Sequence, residues 1–272
     1  MRVESRTFRL IFSCLVLLFF VVLTGSSRGA VRIGQEDRLL AYESDLYCSY
    51  FIWEGAFPEL KIVDWEKNSD RKLLTLGDVI YLNKGETDGL LLNQAFEVIE
   101  IGPGIGRYGR LAYRRGRVKI EALKGGRAAA VIESACGPIR LGQFLVPFVE
   151  KAAVSGEDLG YDDQIEEEDE PKGRFLYLQD GYVQAGTGHW AIINLGREDG
   201  VDIGEQLLAC RKSGKDAFLT AFANCVVLDV GTRTATVKII SSRDAVTLKD
   251  WIVPRPSLRT LIHAPVLVDR NQ

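Results

Sequence analysis

The stretch GIGRYG, Gly104 to Gly109, has the G-x-G-x-x-G spacing that lets a turn close around a pyrophosphate. That chemistry needs a strand leading into a helix whose N-terminus faces the phosphates. Here the glycines lie between two stretches of alternating apolar residues, so they predict a glycine-rich hairpin loop and no cofactor. The two histidines, His189 and His263, are weak candidates for catalysis. A nucleophile wants a base oriented by a third group, and a catalytic zinc wants about three protein ligands. His189 falls at the start of an expected strand in GTGHWAII, and His263 lies in the tail; neither stands in a motif. After residue 30 the cysteines are Cys48, Cys136, Cys210 and Cys225, with no C-x-x-C or Cys/His ligand spacing. Four cysteines allow three pairings, among which the sequence does not choose, and small buried apolar residues are the competing reading. No catalytic residue and no metal site is assigned, and the chain reads as a non-enzyme.

The densest local feature is basic. RYGRLAYRRGRVKIEALKGGR, Arg107 to Arg127, sets Arg107, Arg110, Arg114, Arg115, Arg117, Lys119, Lys124 and Arg127 against Glu121 alone, with Tyr108 and Tyr113 interleaved. Arg107, Arg110, Arg114, Arg115 and Arg117 are therefore candidate polyanion-binding residues. A contact with the chain's own acidic segment and a solvated hairpin face are the other two readings.

The elements that would position these residues begin after a leader. Residues 1–30 open with Arg2, Arg6 and Arg9, continue with an uncharged apolar stretch from Leu10 to Leu23, and end in small polar residues, the three-part shape of a signal peptide. The stretch is short for a membrane-spanning helix, which needs roughly 20 apolar residues. Export to the periplasm or beyond is expected, with membrane contact only through an uncleaved leader. The full chain carries 34 basic and 37 acidic residues, and loss of residues 1–30 leaves 30 against 36. A mildly acidic exported chain is not a general nucleic-acid binder.

NKGETDGLLLNQAF (Asn83 to Phe96) returns as NLGREDGVDIGEQL (Asn194 to Leu207), 111 positions later. Further on, RAAAVIESACGPIRLGQFLVP (Arg127 to Pro147) matches TATVKIISSRDAVTLKDWIVP (Thr234 to Pro254) at an offset of 107. A loop difference between GPGIGRYGR at Gly102 and KSGKDAF at Lys212 explains the change, and such differences belong at the surface. We read an internal duplication. Val118, Ile120 and Ala122 alternate with Arg117, Lys119 and Glu121, as do Ala235, Val237 and Ile239 with Thr234, Thr236 and Lys238; this is a strand period, and no persuasive amphipathic helix follows residue 30. Gly85, Asp88 and Gly89, and again Gly196, Asp199 and Gly200, are expected to form structural turns: the glycines take positive φ and each Asp bonds its downstream backbone. The fold class is mostly β, two tandem small antiparallel barrels or sandwiches at 31–150 and 174–272. Residues 151–173 carry nine acidic residues and read as a flexible linker. Residues 36–72, with the aromatic-rich LYCSYFIWEGAF, are expected to add a strand pair to the first domain, a docking segment being the alternative.

GDVIYLNKGETDGLLLNQAFEV with RLGQFLVPF, and AIINLGREDGVDIGEQLLACR with LKDWIVP, resemble small β domains of bacterial envelope proteins. Examples are the C-terminal domain of flagellar assembly protein T and the domains that accompany LysM modules in exported proteins. The resemblance covers about two thirds of the chain beyond the leader. It implies a periplasmic, non-catalytic role in an envelope assembly, with envelope proteins as partners, and transfers no site residues. No LysM-like segment is present. The expected function is an exported binding or scaffold protein acting through protein–protein contacts; the alternative is peptidoglycan or anionic-glycan binding by the hairpin at 107–127.

Overall fold

Alternating apolar residues become strands through most of the chain. A computed structural model describes residues 38–66, 73–161, 164–165, 173–212 and 219–255, all within one unit that begins at Asp37. The expected leader, most of the acidic run, residues 213–218 and His263 lie outside the described residues. The first half contains β1 (Arg38–Ala41), a short helix α1 (Glu43–Cys48), β2 (Tyr50–Trp53), β3 (Ile62–Trp65), β4 (Val79–Leu82), β5 (Ala95–Gly104), β6 (Arg110–Lys124), β7 (Arg127–Ala135) and β8 (Phe144–Pro147). The second contains β9 (Val154–Gly156), β10 (Gln164–Ile165), β11 (Gly173–Leu178), β12 (Trp190–Ile193), β13 (Gln206–Lys212), β14 (Leu219–Val230), β15 (Ala235–Ser242) and β16 (Trp251–Pro254).

In the second half, neighbouring strands run β14-β13-β16-β11-β12-β15, and β15 pairs back with β14, closing a six-stranded antiparallel barrel. Closure leaves no open edge in the ring, and its inward residues, among them Phe175, Ile193, Leu207, Val227, Val237 and Ile252, form the core. The first sheet runs β3-β4-β7-β6-β5-β8, with β2 added on β6. Its two end strands also meet: the Ile62 N–H donates to the Gln143 carbonyl at 3.0 Å and the Leu145 N–H to the Leu60 carbonyl at 2.9 Å. Thus β5, β6, β7, β4, β3 and β8 occupy the places that β13, β14, β15, β12, β11 and β16 occupy in the barrel.

The alternation in β6 does not run to its end. Val118 and Ile120 point into the first core, but the register shifts between Ile120 and Ala122, which leaves Ala122 exposed and turns Leu123 toward the core. Such a bulge inverts the inward set of residues beyond it.

The two matching turns also differ from expectation in two details. Gly89 and Gly200 have φ of 85° and 79°, as an Asp-Gly turn requires. However, the Asp88 and Asp199 carboxylates accept from the upstream Gly85 and Gly196 N–H groups, each at 2.9 Å, rather than from downstream backbone. Gly85 and Gly196 are extended, with φ of −147° and −144°, so positive φ is not their reason. Close approach is. A Cβ on Gly85 would lie 2.3 Å from the Gly125 carbonyl oxygen, and one on Gly196 would lie 2.6 Å from the Thr234 nitrogen. Each turn is a single 3₁₀ turn that crosses an end of its sheet, since β4 and β5 are not neighbours.

Two further segments depart from the sequence reading. A helix, α1, occurs where none was expected, nucleated by Asp45, whose carboxylate accepts from the Tyr42 N–H at 2.8 Å. Within the expected linker, β9 pairs with β1 and β10 with β14. Val154 is buried with Leu40, Leu46, Val226 and Leu228. Composition averaged over 151–173 hid this, because the acidic residues begin only at Glu157. Of residues 36–72, β2 and β3 both join the first sheet, but on β6 and β4, not on each other.

Candidate functional site

The basic run on β6 is not one cationic face. Arg110, Arg114, Arg115 and Arg117 each meet a partner supplied by a neighbouring strand, which a count along the run could not reveal. Arg115 donates from Nε to Glu100 of β5 at 2.8 Å, and Arg117 pairs with Glu133 of β7 at 2.8 Å. Arg110 donates to the Gly102 carbonyl at 3.0 Å, and Arg107 reaches the Tyr108 hydroxyl at 3.4 Å. Arg114 is the clear correction. It is 5% exposed, pairs with Glu97 at 3.0 Å and with Asp229 of β14, and donates to the Ser49 carbonyl at 3.0 Å. Its guanidinium carbon lies 4.2 Å from the centre of the Phe51 ring. A polyanion has no access to it, because it joins the first sheet to the barrel.

Arg114 belongs to a buried junction. Lys151 Nζ contacts Asp229 Oδ2 at 3.1 Å and donates to the Leu46 carbonyl at 3.1 Å. Burial pushes the Asp229 carboxyl up, but Arg114 and Lys151 together hold it below the usual carboxylate range. Burial lowers the Lys151 ammonium, with the Arg114 charge acting in the same direction. On α1, Asp45 accepts from Lys238 Nζ at 2.6 Å and from Trp190 Nε1 at 3.0 Å, so the helix is bonded to two strands of the barrel. Tyr50 of β2 completes the contact. Its hydroxyl donates to Asp180 at 2.7 Å, its carbonyl accepts from Thr236 Oγ1 at 2.6 Å, and its ring meets Trp190 edge-on at 5.6 Å. Burial, then the Asp180 carboxylate, raise the Tyr50 hydroxyl pKa and keep it a donor. A disulfide between Cys48, the last residue of α1, and Cys136 ties the helix to the end of β7.

Cys225 is a buried thiol in the barrel core and Cys210 one in a separate buried cluster with Leu208, Leu219 and Val253; burial pushes Cys210 up to about 12, a poor nucleophile at neutral pH. His189 Nδ1 lies 3.0 Å from the Gly186 carbonyl oxygen and 3.3 Å from its N–H, closing a local turn. The equivalent turn in the first sheet is closed by Asp78, whose carboxylate accepts from the Thr75 N–H at 2.9 Å. Asp88 and Asp199 serve the turns described above. Among the described residues no group of three His, Cys, Asp or Glu side chains could hold a metal ion.

The junction lay beyond sequence reasoning, whose sole signal was the placement of aromatic and acidic residues in DLYCSYFIW, Asp45 to Trp53. The arrangement can couple two sheets mechanically and present their outer surfaces together. No model of a known protein family matches the chain, and no curated protein matches it.

Proposed function

We propose that the protein is a non-catalytic binding or scaffold component of a bacterial cell envelope, exported by its leader and acting through protein–protein contacts. In this reading the two sheets are tandem small barrels that arose by internal duplication. Matched bonds support the duplication. Thr75 to Asp78 recurs as Gly186 to His189, Gly85 to Asp88 as Gly196 to Asp199, and Arg140 to Gln143 as Thr247 to Asp250. The offset is 111 before the β5–β6 hairpin and 107 after it. The disulfide supports an oxidising compartment, and the resemblance to small envelope β domains points the same way.

The observation that carries the binding role is apolar exposure in one place. Leu73, Leu76 and Leu141 are 52%, 65% and 46% exposed, and the bridge between Leu74 and Ile139 brings their two segments side by side. Single exposed leucines mean little, whereas a contiguous group marks a contact surface. A photocrosslinker at position 76 in envelope fractions is expected to capture an envelope protein. Leu73→Asp with Leu141→Asp should abolish capture from position 76 without unfolding the chain; no adduct from position 76 refutes the reading.

One observation favours the second reading, an anionic glycan at the hairpin tip. Arg107 and Arg233 flank Tyr108, with their guanidinium carbons 5.3 Å and 5.7 Å from the ring centre. Pelleting with isolated peptidoglycan is expected to be unchanged by Arg107→Glu with Arg110→Glu. Lost pelleting with an intact fold would favour the glycan.

A further inference from the structure

At one end of the barrel, where the ends of β13, β16 and β11 meet the turn between β15 and β16, lies an open cavity of about 580 Å³. Arg174, Arg211, Lys212, Lys249, Asp244 and Asp250 line it, with Trp251 alongside. None of these residues belongs to the basic hairpin or to the junction.

Two carboxylates line the cavity, and Arg211 uses both. Arg211 grips Asp250 through Nε at 2.6 Å and Nη2 at 2.9 Å, and Asp244 through Nη1 at 2.5 Å. Asp250 also accepts from the Thr247 N–H at 2.7 Å and hydroxyl at 2.8 Å, so its oxygens are fully occupied in holding the turn. Arg174 lies over the Trp251 ring and donates from Nη1 to the Lys249 carbonyl. Among the described residues neither Arg174 nor the exposed Lys249 side chain has a carboxylate partner. Burial lowers the Arg174 pKa, with only the charge of Asp250 set against it, as for a cation that lacks a counter-ion.

The fold does not demand all of this charge. The corresponding corner of the first sheet keeps a cation, Lys61, where the barrel has Arg174, but has Glu100 for Arg211, Gln143 for Asp250, Gly142 for Lys249 and Phe144 for Trp251. There Gln143 caps the turn through the Arg140 N–H at 2.9 Å and donates to Glu100 at 3.1 Å, and the cavity is about 250 Å³. A neutral amide therefore builds the turn as well as Asp250 does. The added Lys249 beside Arg174, and the larger cavity next to them, need another explanation.

We propose that this corner binds a phosphate-bearing anion, held by Arg174 and Lys249. A guanidinium presents a planar fork of donors to phosphate oxygens, and an ammonium adds a second point of charge. The volume is that of a small-molecule site, larger than a bare phosphate needs. Leu248, 49% exposed, sits between the lining residues Thr247 and Lys249, and Val183, 85% exposed, precedes the lining Gln184. Aliphatic side chains beside the cations suit a phosphate that arrives on a lipid, and a soluble phosphate shares the same recognition chemistry.

The test uses the chain from residue 31 onward in two arms. Calorimetric titration with inorganic pyrophosphate probes soluble phosphate, and cosedimentation with phosphatidylcholine vesicles, with and without phosphatidylglycerol, probes the lipid source. At least one arm is expected to show salt-sensitive binding. Arg174→Gln with Lys249→Gln should weaken it by about tenfold or more. Lys61→Gln, the matching place in the first sheet, should leave it unchanged. Binding to anionic vesicles alone assigns a lipid headgroup, and binding to pyrophosphate assigns a soluble phosphate; either supports the site. No binding in either arm, or equal binding by the double variant, overturns it. Should Arg174→Gln unfold the barrel, Lys249→Gln, made on an exposed side chain, is decisive alone. Neither result bears on capture at Leu76, so the inference and the scaffold reading fail separately.

Discussion

At the residue scale, Arg114 shows how an arginine read as ligand-binding can be structural. Its two carboxylates come from β5 and from the barrel, and it is almost fully buried. Replacing it by Met leaves Glu97 without its arginine and Asp229 with Lys151 alone, and breaking one side of a buried pair costs about 3–5 kcal/mol. Urea unfolding of Arg114→Met should show that loss, while Arg107→Gln at the exposed hairpin tip should stay within about 0.5 kcal/mol of wild type. The same cluster sets a pH dependence. Asp229 is held below its unfolded value of about 3.9 in the folded protein, so its stabilisation is complete above that pH and is lost as pH falls through the lower folded pKa. Wild type should therefore lose stability below about pH 4 more steeply than Arg114→Met does, the difference isolating Asp229 from other depressed carboxylates such as Asp158 and Asp250. A parallel pH profile in the two proteins would mean that Arg114 does not hold the Asp229 proton off.

At the scale of elements, the recurring turn separates two uses of glycine. Nothing lies within 4 Å of a Cβ built on Gly89, so Gly89→Ala meets only the cost of its φ of 85°, about 1–2 kcal/mol. Gly85→Ala instead drives a methyl group into the backbone of the β6–β7 turn, at Gly125 and Arg127. Thermal unfolding should rank Gly85→Ala as clearly more damaging than Gly89→Ala, and Gly196→Ala likewise above Gly200→Ala. This also marks what the sequence could and could not disclose. Strand alternation and Asp-Gly pairs act through neighbours in the chain, so β6, β15 and the turns were legible. Close approach of Gly85 to Gly125 is a contact between distant segments, and α1 is only six residues long, too short for a helical period to stand out. The bulge that exposes Ala122 and the partners of Arg114 likewise depend on which strands become neighbours.

For the whole molecule, the question is whether the sheet and the barrel unfold together. The bonds that join them are buried and converge on one segment: Asp45 to Lys238 and Trp190, Tyr50 to Asp180 and Thr236, and Arg114 to Asp229. The disulfide holds that segment to β7 across a separation of 88 residues, a pairing that no spacing argument could select. Constraining a loop of that length contributes about 4–5 kcal/mol in the chain-entropy view, most of it by restricting the unfolded first half. The barrel's own ring closes without the disulfide. Calorimetry of the oxidised protein should thus show one cooperative transition, because neither half can open without exposing the ion pairs of the other. After reduction and alkylation of Cys48 and Cys136, α1 is free to leave, and the first sheet loses both its loop constraint and the helix that bonds it to β12 and β15. Two transitions are expected, the lower from the sheet and the upper, close to the original temperature, from the barrel, with Cys210 and Cys225 resisting alkylation until the upper one. A single transition that merely moves down would show that the ion pairs and Tyr50 couple the halves without help from the disulfide.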